Sequence, residues 1–470
     1  MQPSSIAGRG AFAYLARLAP IPLAALILSV SASSYAMSFA QAWDAARAYD
    51  AQYQAAGHEL ASTQFGVPIA RASLLPQVSL SASTSESVGT RDFPNSLNQQ
   101  VRTRLDYAAP QSSLTLRLPI FNREAYSRLS QAEAQAEQAQ SVYRIRGLDL
   151  VDRLAVAYVQ VLLAQEGKLL VDAQWQAQSV QLGQFQQRLA RGEGTRVETA
   201  QAQSALDVTR VRQTDADDQL ELARRQLRRL TGLPTPALNT LAPDYRPAPL
   251  AAESLTEWLE LAIRQSPALQ AREQALVAAR MGVQRNFAAH FPRLDLVASA
   301  TKSQNESTSS LNQTTSLRSL ALQLNVPIFS GGGIDASVKQ AVADQSRVEQ
   351  EIRIERENIE IEVQRFYQST MTGRSRWEAL RGAVEAAELA QLGMTRALQA
   401  GLATGSDVAE TQSRVFAARR ELAQARVEYL VARLRLMIQA GMPAAEVVAD
   451  LDRALVAQSG VSTPAPAPRP

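Results

Sequence analysis

The chain has 470 residues, a formal net charge of +3, no cysteine, two histidines and 6% aromatic residues. A chain without cysteine has no disulfides, no thiol nucleophile and no lipidated N-terminal cysteine. The small positive net charge is not concentrated in a cluster of Lys and Arg residues, and no basic surface with interleaved aromatic residues is evident. Both observations argue against nucleic-acid binding. Few aromatic residues and many Ala, Gln, Arg and Glu residues favour long helices over a set of ordinary globular domains.

Residues 1–36 have the pattern of a secretory signal peptide. Arg9 and Arg17 provide its positive region, 18–30 form a short apolar core, and Ser34-Tyr35-Ala36 offers small residues for cleavage. A transmembrane anchor is the alternative, but the core is short and no later stretch reaches about 18 apolar residues. The sequence therefore predicts an exported protein with no helix able to sit in a membrane.

The chain carries one set of landmarks twice, in the same order and at nearly constant spacing. The matching pairs are Pro119-Ile120-Phe121 with Pro327-Ile328-Phe329, Gly192 with Gly401, and Gly232-Leu233-Pro234 with Gly441-Met442-Pro443. Such regular self-similarity is the mark of internal duplication. We therefore predict two structural repeats, 37–230 and 254–443, joined by a Pro-rich connector, 231–253, and followed by a C-terminal extension, 444–470, with a disordered tail after Gly460.

Each repeat is predicted to begin with a helix, 38–72 or 254–289, and to continue into two strands. Leucines alternate with other residues in the second strand of each pair, at Leu114, Leu116 and Leu118 and at Leu320, Leu322 and Leu324. Polar loops are expected over 86–110 and 302–317, which leaves strands of about 9 to 11 residues. Such strands fit a membrane barrel or an ordinary antiparallel sheet, and the signal peptide favours the barrel.

The longest predicted helix begins after Gly331-Gly332-Gly333 and runs for roughly 67 residues, or about 100 Å, to a break near Gly401. Apolar residues recur on it every seven positions, at Val338, Ile352, Ile359, Phe366, Leu380 and Met394, beside a stripe of Val342, Val363, Trp377, Val384 and Leu398. A sustained heptad pattern predicts left-handed coiled-coil packing against neighbouring helices. Most other positions are polar, which suits the wall of a tube with water on one side.

No catalytic, metal or cofactor site is predicted. His58 and His290 lie far apart without ligand-like spacing around them. The triple glycine at 331–333 lacks the Lys and Ser/Thr of a phosphate-binding loop, and a corner between strand and helix explains it better. The protein is therefore not expected to be an enzyme.

Two acids follow the helix break. Asp407 and Glu410 are three residues apart at the start of the next helix, which puts both carboxylates on one face. One interpretation is helix capping, with Asp407-x-x-Glu410 as a capping box and Thr195-x-x-Glu198 as its counterpart in the first repeat. The other is a charged ring that selects cations at a pore constriction, if several copies surround an axis. The two roles can coexist.

The signal peptide, the duplicated order of helix, two strands, long helix, turn and helix, and the paired Pro-Ile-Phe corners resemble the TolC family of outer-membrane channel-tunnels. The resemblance covers nearly the whole mature chain. It implies an α+β membrane protein in which long antiparallel coiled-coil helices form an α-barrel and a homotrimer shares a transmembrane β-barrel with four strands per subunit. Open sheet edges are costly in lipid, so the strand count also requires closure by other subunits.

The resemblance further implies a location and partners. The chain is expected in the outer membrane of a Gram-negative bacterium, in contact with its lipid, with helices extending into the periplasm. The expected partners are a periplasmic adaptor (membrane fusion) protein and an inner-membrane ABC or proton-driven exporter. No cofactor and no nucleic acid are implied.

By the same resemblance, the gate lies at the periplasmic tips, 188–199 and 396–410. The implied residues are Asp407, Glu410 and Glu198 at the constriction, Gly192, Gly194, Gly401 and Gly405 at the tip turns, and Pro119, Phe121, Pro327, Phe329 and Gly331 at the strand–helix corners. Where a tyrosine and an arginine help to close the best-known gate of the family, this chain has Leu398 and Ala403. The same closing bonds are therefore not expected.

The leading hypothesis is a passive export duct, most simply for a protein substrate such as a toxin in a type I secretion system. The absence of a lipidated cysteine and the pair of Asp407 and Glu410 favour that branch. The duct of a multidrug efflux pump is the alternative. A coiled-coil surface or adhesion protein is the hypothesis from another class, and it predicts no regular duplication of strand pairs.

Overall fold

The computed structural model describes residues 36–234, 237–241, 245, 249–250, 252–307 and 310–456. The predicted signal peptide, apart from Ala36, and the predicted tail after Gly460 lie outside these residues. The elements, in chain order, are α1 (Phe39–Tyr49), α2 (Ala51–Gln64), α3 (Gly66–Ala72), β1 (Gln77–Pro94), β2 (Gln100–Phe121), α4 (Arg123–Ala190), α5 (Arg196–Thr231), β3 (Thr240–Leu241), α6 (Leu255–Gln265), α7 (Pro267–Ala288), β4 (Arg293–Ser307), β5 (Ser310–Asn325), α8 (Gly333–Gln399), α9 (Gly405–Gln439), α10 (Ala444–Ala454) and β6 (Leu455–Val456).

The helix that opens each repeat is broken, and the prediction of single helices over 38–72 and 254–289 was wrong. Asp50 adopts an extended conformation between α1 and α2, and its carboxylate accepts a hydrogen bond from the Tyr53 amide at 2.8 Å. Ser266 caps α7 after the end of α6: its hydroxyl accepts a hydrogen bond from the Leu269 amide at 3.3 Å, and Pro267 stands at the first helical position. A polar N-cap restarts a helix at both places, and proline cannot continue one.

Two very long helices form the body of the protein, as predicted. α4 has 68 residues and α8 has 67. α4 packs against α5 and α7, and α8 packs against α9 and α7. Val363, Thr370, Trp377 and Val384, which are seven residues apart, are buried in α8, and so is Ile359. Ile359 belongs to the predicted heptad and the other four residues to the stripe beside it, so the period of seven is confirmed and both stripes contribute to the buried seam.

The four long strands form one antiparallel sheet in the order β1-β2-β4-β5, and the central pair β2–β4 joins the two repeats. The strands have 18, 22, 15 and 16 residues. The predicted length of 9 to 11 residues and the predicted loops over 86–110 and 302–317 were therefore wrong, because the hairpins continue through most of those segments. Ladder hydrogen bonds need no apolar side chains, so the alternating leucines mark only part of each strand.

The strand register collects the apolar residues on one face of the sheet, which we call the leucine face. The register pairs that define it are Val78 with Leu116, Leu80 with Leu114, Leu118 with Leu296, Leu296 with Leu322, Ala298 with Leu320, and Leu294 with Leu324. The other face carries mainly Ser and Thr residues and the ion pair of Arg117 with Asp295. One apolar and one polar face is the pattern of a barrel strand between lipid and a wet lumen.

The main core lies where the short helices pack around the long ones. Trp258, Tyr158, Tyr429 and Phe39 are its largest fully buried side chains. The Tyr158 hydroxyl donates to the backbone carbonyl oxygens of Met37, at 2.8 Å, and Asn239, at 3.1 Å. Burial, assisted by the charge of Asp452, raises the pKa of Tyr158, so this hydroxyl keeps its proton.

One helix in the described part of the chain, α4, is long and apolar enough to cross a membrane by length and composition. No such helix was expected from the sequence. The apolar segment of α4 includes Leu154, Tyr158 and Val161, which are buried among other core residues. These three residues belong to the core of the helical body.

Candidate functional site: the two helical tips

The two tips are built by the same turn. α4 ends at Ala190 and α8 at Gln399, and Gly192 and Gly401 follow with φ of 75° each. Behind each glycine an amide reaches back five residues, from Glu193 to Arg188 at 2.9 Å and from Leu402 to Ala397 at 2.8 Å. This is the pattern of a helix end with a left-handed glycine, a conformation that side chains disfavour. The duplication thus extends to the backbone of the tips.

Gly194 and Gly405 have a different reason to be glycine. Neither has a positive φ. A Cβ atom on Gly194 would lie 3.2 Å from the Leu189 amide nitrogen. A Cβ atom on Gly405, the first residue of α9, would overlap the ring of Phe185 on α4. Close approach, and not turn geometry, explains these two positions.

A capping box starts the second helix of each tip. Thr195 and Thr404 are the N-cap residues, and Glu198 and Asp407 are the acids three positions later. The Thr404 amide donates to Asp407 Oδ2 at 2.8 Å, and the Asp407 amide donates to Thr404 Oγ1 at 3.3 Å. The predicted box of Asp407 with Glu410 was therefore wrong, because the cap is three residues earlier. The predicted box of Thr195 with Glu198 is confirmed, with the Thr195 amide 2.9 Å from Glu198 Oε2.

Glu198 and Asp407 are equivalent residues of the two repeats, because each is the third residue after the N-cap threonine of its helix. Both residues are half-buried, and both carboxylates accept two hydrogen bonds from their threonine. The side chain and then the amide of Thr404 lower the pKa of Asp407, and the amide and then the side chain of Thr195 lower the pKa of Glu198. Donors that bind the ionised carboxylate stabilise its charge, so both tips keep an anion.

Glu410 has another environment. Its carboxylate accepts a hydrogen bond from Arg414 Nη2 at 2.6 Å, one helical turn farther along α9. It also lines a cavity of about 340 Å³ between α4, α5 and α9, together with Glu198 and Phe185. The structure thus brings Glu198 and Glu410 to one cavity, while Asp407 is not among its lining residues.

Glutamines that the sequence analysis did not single out complete this cavity. Gln174, Gln178 and Gln181 all line it from α4. The Oε1 atom of Gln178 is buried and has no hydrogen-bond partner among the described residues. Gln181 Nε2 donates to the Gly405 carbonyl oxygen at 3.0 Å. The three glutamines and Phe185 are separated by four, three and four residues, which is the spacing of the apolar seam of a coiled coil. Three of these four seam positions therefore carry amide side chains where apolar ones are usual.

The strand–helix corners differ between the repeats. Pro119 and Phe121 still belong to β2, where the register shifts by one residue, and the Asn122 side chain caps α4. In the second repeat β5 ends at Asn325, so Pro327 and Phe329 lie outside the strand. Ile328 and Phe329 are 94% and 87% exposed, and Gly331 has a φ of 61°. Large apolar side chains that face solvent here fit an interface with lipid.

The histidines form no metal site in the structure. His290 Nε2 lies 3.4 Å from Asp335 Oδ1, and His58 is an exposed residue of α2. Among the described residues no group of three or more His, Cys, Asp or Glu side chains could hold a metal ion.

Comparison with known proteins places this architecture in a family. The profile of the family described as "Outer membrane efflux protein" matches residues 42–233 and 258–441. The chain is 34% identical over 426 residues to "Proteases secretion protein PrtF" of Dickeya chrysanthemi, covering 89% of this chain and 91% of that protein. It is 30% identical over 449 residues to "Alkaline protease secretion protein AprF" of Pseudomonas aeruginosa, covering 95% and 92%.

More distant similarities agree with this result. "Outer membrane protein TolC" of Vibrio cholerae is 25% identical over 447 residues, covering 93% of this chain and 98% of that protein. The crystal structure of the Campylobacter jejuni CmeC outer membrane channel covers 89% of this chain and 90% of its own with a TM-score of 0.74, at 14% identity. At that identity the likeness shows the fold alone. The resemblance inferred from the sequence is confirmed: the chain belongs to the outer membrane efflux protein family, the channel-tunnels of the Gram-negative outer membrane that include TolC.

Proposed function

We propose that this channel is the outer-membrane duct of a type I secretion system and that it exports a protein substrate such as a protease or a toxin. The observation that carries the proposal is the similarity to PrtF and AprF, which are both described as protease secretion proteins. That similarity extends over both repeats, so it includes the strands, the long helices and both tips. The role is passive conduction, and no enzymatic step is assigned to the chain.

The working unit is proposed to be a homotrimer. β1 and β5 are the edges of the four-stranded sheet, and each has a long row of backbone groups without a partner strand in one chain. Lipid offers no hydrogen bonds to those groups, so the edges must pair with other subunits. Three chains supply twelve strands, an even number as in bacterial outer-membrane barrels.

The proposed partners are a periplasmic adaptor and an inner-membrane exporter, in contact with the tip side of the molecule. The sheet is at one end of α4 and α8, and the tip turns are at the other end. The length of these helices puts about 100 Å between the sheet and the tips. A duct whose sheet is in the outer membrane therefore presents its tips deep in the periplasm.

We also propose that 1–36 is removed and that the division into 37–230, 231–253, 254–443 and 444–470 describes the mature chain. The Met37 amide donates to the Ala237 carbonyl oxygen at 2.7 Å, inside the connector. Val447, Val448 and Leu451 of α10 are buried in the main core. These contacts support a C-terminal extension whose first part is structural.

The tips are proposed to act as a cation-selective constriction. Asp407 and Glu198 occupy equivalent places in the two repeats, and their capping threonines hold both carboxylates in the ionised form. In a trimer the two tips of each chain supply six such anions. Rings of carboxylates favour cations through their field.

Complementation tests the cargo class. We expect the chain, expressed in a Dickeya chrysanthemi strain that lacks PrtF, to restore extracellular protease. Expression in an Escherichia coli strain that lacks TolC should leave its drug susceptibility high. Restored drug resistance without restored protease secretion would favour the efflux alternative.

Fractionation tests the other class of function. A duct should be extracted from the outer membrane only by detergent, as a trimer whose migration in gels changes on heating. Release of the protein by a salt wash would instead support a surface or adhesion protein.

A further inference from the structure

The leucine face of the sheet ends in two cations. The register orders this face into rows that follow each other away from the helices: Leu118–Leu296–Leu322, then Val78–Leu116–Ala298–Leu320, then Leu80–Leu114–Ala300–Arg318, then Ala82–Ser112–Lys302–Ser316. Residues that share a row or stand in adjacent rows of neighbouring strands are about 5 to 8 Å apart. Arg318 and Lys302 are thus diagonal neighbours at the point where the apolar rows stop.

The distance of Lys302 and Arg318 from the helix end of the strands is close to the thickness of the apolar band of a membrane barrel. Leu294 and Lys302 are separated by eight positions on β4 (302 minus 294), or about 27 Å along the strand. At a strand tilt of about 40° this is about 21 Å along the membrane normal, against an apolar band of about 25 Å in outer-membrane barrels. The hairpin ends of the strands lie opposite the helices. Lys302 and Arg318 therefore stand at the headgroup level of the outer leaflet.

Neither cation is neutralised within the described chain. No ion pair or hydrogen bond joins the side chain of Lys302 or Arg318 to another side chain that the structure describes, whereas Arg102 pairs with Asp92 and Arg104 lies 4.0 Å from Asp106. The acids of this face on β1 and β2 are Glu86, Asp92 and Asp106, and all three are two or more rows farther out. Charged residues on the lipid face of a barrel are destabilising near the bilayer centre and tolerated near the interface.

The surroundings of the pair are amphipathic. Lys302 and Arg318 line one surface depression of about 460 Å³, together with Leu80, Leu114, Ser112 and Ser316. Ser112 and Ser316 flank Lys302 in the same row and add hydroxyl donors. The leucines lie on the side of the helices, where acyl chains would be. Cations above an apolar surface suit an anionic group that is joined to acyl chains.

We propose that Lys302 and Arg318 bind a phosphate group of a phosphorylated glycolipid in the outer leaflet of the outer membrane. The guanidinium and ammonium groups contact the phosphate, Ser112 and Ser316 donate to its remaining oxygens, and the acyl chains lie along the leucine face. The inference rests on insertion of the sheet into the outer membrane. Each chain would supply one such site.

Native mass spectrometry of the detergent-solubilised full-length trimer tests the site, with purified bis-phosphorylated lipid A as the probe and its dephosphorylated form beside it. We expect lipid A to bind about tenfold more tightly than its dephosphorylated form. The double variant Lys302→Gln, Arg318→Gln should lose this preference. The charge-preserving variant Lys302→Arg, Arg318→Lys should keep it, and so should Arg104→Gln, which removes an exposed cation of the same face farther out.

Three results would overturn the proposal. They are equal lipid A affinity in the parent protein and the glutamine double variant, equal affinity for lipid A with and without phosphate, and complete displacement of lipid A by millimolar inorganic phosphate, which would assign the site to a free anion. Heat-modifiable trimers of each variant show that the barrel has formed. Failure of the parent protein to form such trimers would contradict the proposed duct and not this site.

Discussion

The main chain of Gly405 lies directly against the ring of Phe185, so that a Cβ atom on Gly405 would overlap ring atoms Cε1 and Cζ. The neighbouring bond from Gln181 to the Gly405 carbonyl oxygen strengthens the same contact. Through these two links the end of α4, in the first repeat, holds the start of α9, in the second. The contact joins the two tips within one chain.

Gly405→Ala should loosen that link. The added methyl group forces the ring of Phe185 away, and overpacking of this kind costs about 1 to 3 kcal/mol. We expect a larger single-channel conductance in planar bilayers than in the parent protein. Gly393→Ala is the matched control, because nothing lies within 4 Å of a Cβ atom on this α8 glycine. Equal conductance in the two variants would show that the Phe185 contact does not restrain the tips.

Asp407→Asn should weaken cation selectivity more than Glu410→Gln. The carbonyl oxygen of the new side chain amide can still accept the hydrogen bonds of Thr404, so the variant removes charge while the cap remains. Glu410 is already opposed by Arg414, so its neutralisation removes less net field. Reversal potentials in salt gradients across planar bilayers measure the selectivity. A larger effect of Glu410→Gln would contradict this ranking.

Acid should release the caps of both tips. The folded-state pKa of Asp407 and that of Glu198 are lowered, so their stabilisation is present above the unfolded values of 3.8 and 4.5 and is lost as the pH falls through the folded values. We expect hydrogen-exchange protection of the first turns of α5 and α9 to decrease below about pH 4. In Thr404→Ala protection of the α9 turn should already be low at about pH 7, while that of α5 is unchanged. Protection that is independent of pH would exclude a stabilising role for the caps.

A buried ion pair should dominate the stability of the main core. Arg433 and Asp450 are 6% and 13% exposed, and Arg433 Nε donates to Asp450 Oδ2 at 2.8 Å. Burial acts to lower the pKa of Arg433, but the bonds and charge of Asp450 outweigh it and the pKa is raised. Asp450→Asn should reduce the free energy of unfolding by about 3 kcal/mol, because it removes the negative charge that accepts two hydrogen bonds from a buried guanidinium.

Unfolding of the solubilised protein in guanidinium chloride measures this loss of unfolding free energy. Glu388→Gln is the control, since it removes the anion of an exposed pair with Arg419 and should cost less than about 1 kcal/mol. Similar losses in the two variants would contradict a special contribution of the buried pair.

The helix break at Asp50 should be sensitive to acid. Burial acts to raise the pKa of Asp50, but the hydrogen bonds and charge of Arg153 and the Tyr53 amide outweigh it, so the pKa is lowered. The stabilisation is therefore complete above the unfolded pKa of 3.8 and disappears as the pH falls through the folded value. We expect Asp50→Asn to lower the Tm more at about pH 7 than at about pH 3. An equal decrease in Tm at both pH values would show that the charge of Asp50 is not involved.

Local chemistry in the sequence predicted much of this protein. The period of seven in α8, the period of two around Leu116 and Leu322, and the glycines at 192 and 401 each depend on backbone geometry that a short segment specifies. For the same reason the length of α8 was predicted correctly. The duplication then allowed each element to be recognised twice.

Other features depended on contacts between distant segments. Strand length was decided by hairpin pairing that continues beyond the leucines, and the meeting of Gly405 with Phe185 joins residues that are far apart in the sequence. The predicted capping box was about one turn too late because the side chains of Thr404 and Asp407 can both cap a helix. The extended backbone conformation of Thr404 identifies it as the N-cap residue, and this conformation is known only from the structure. Sequence periodicity specifies which face of an element is apolar, whereas tertiary structure decides what that face meets, because pairing and packing are set by the whole fold.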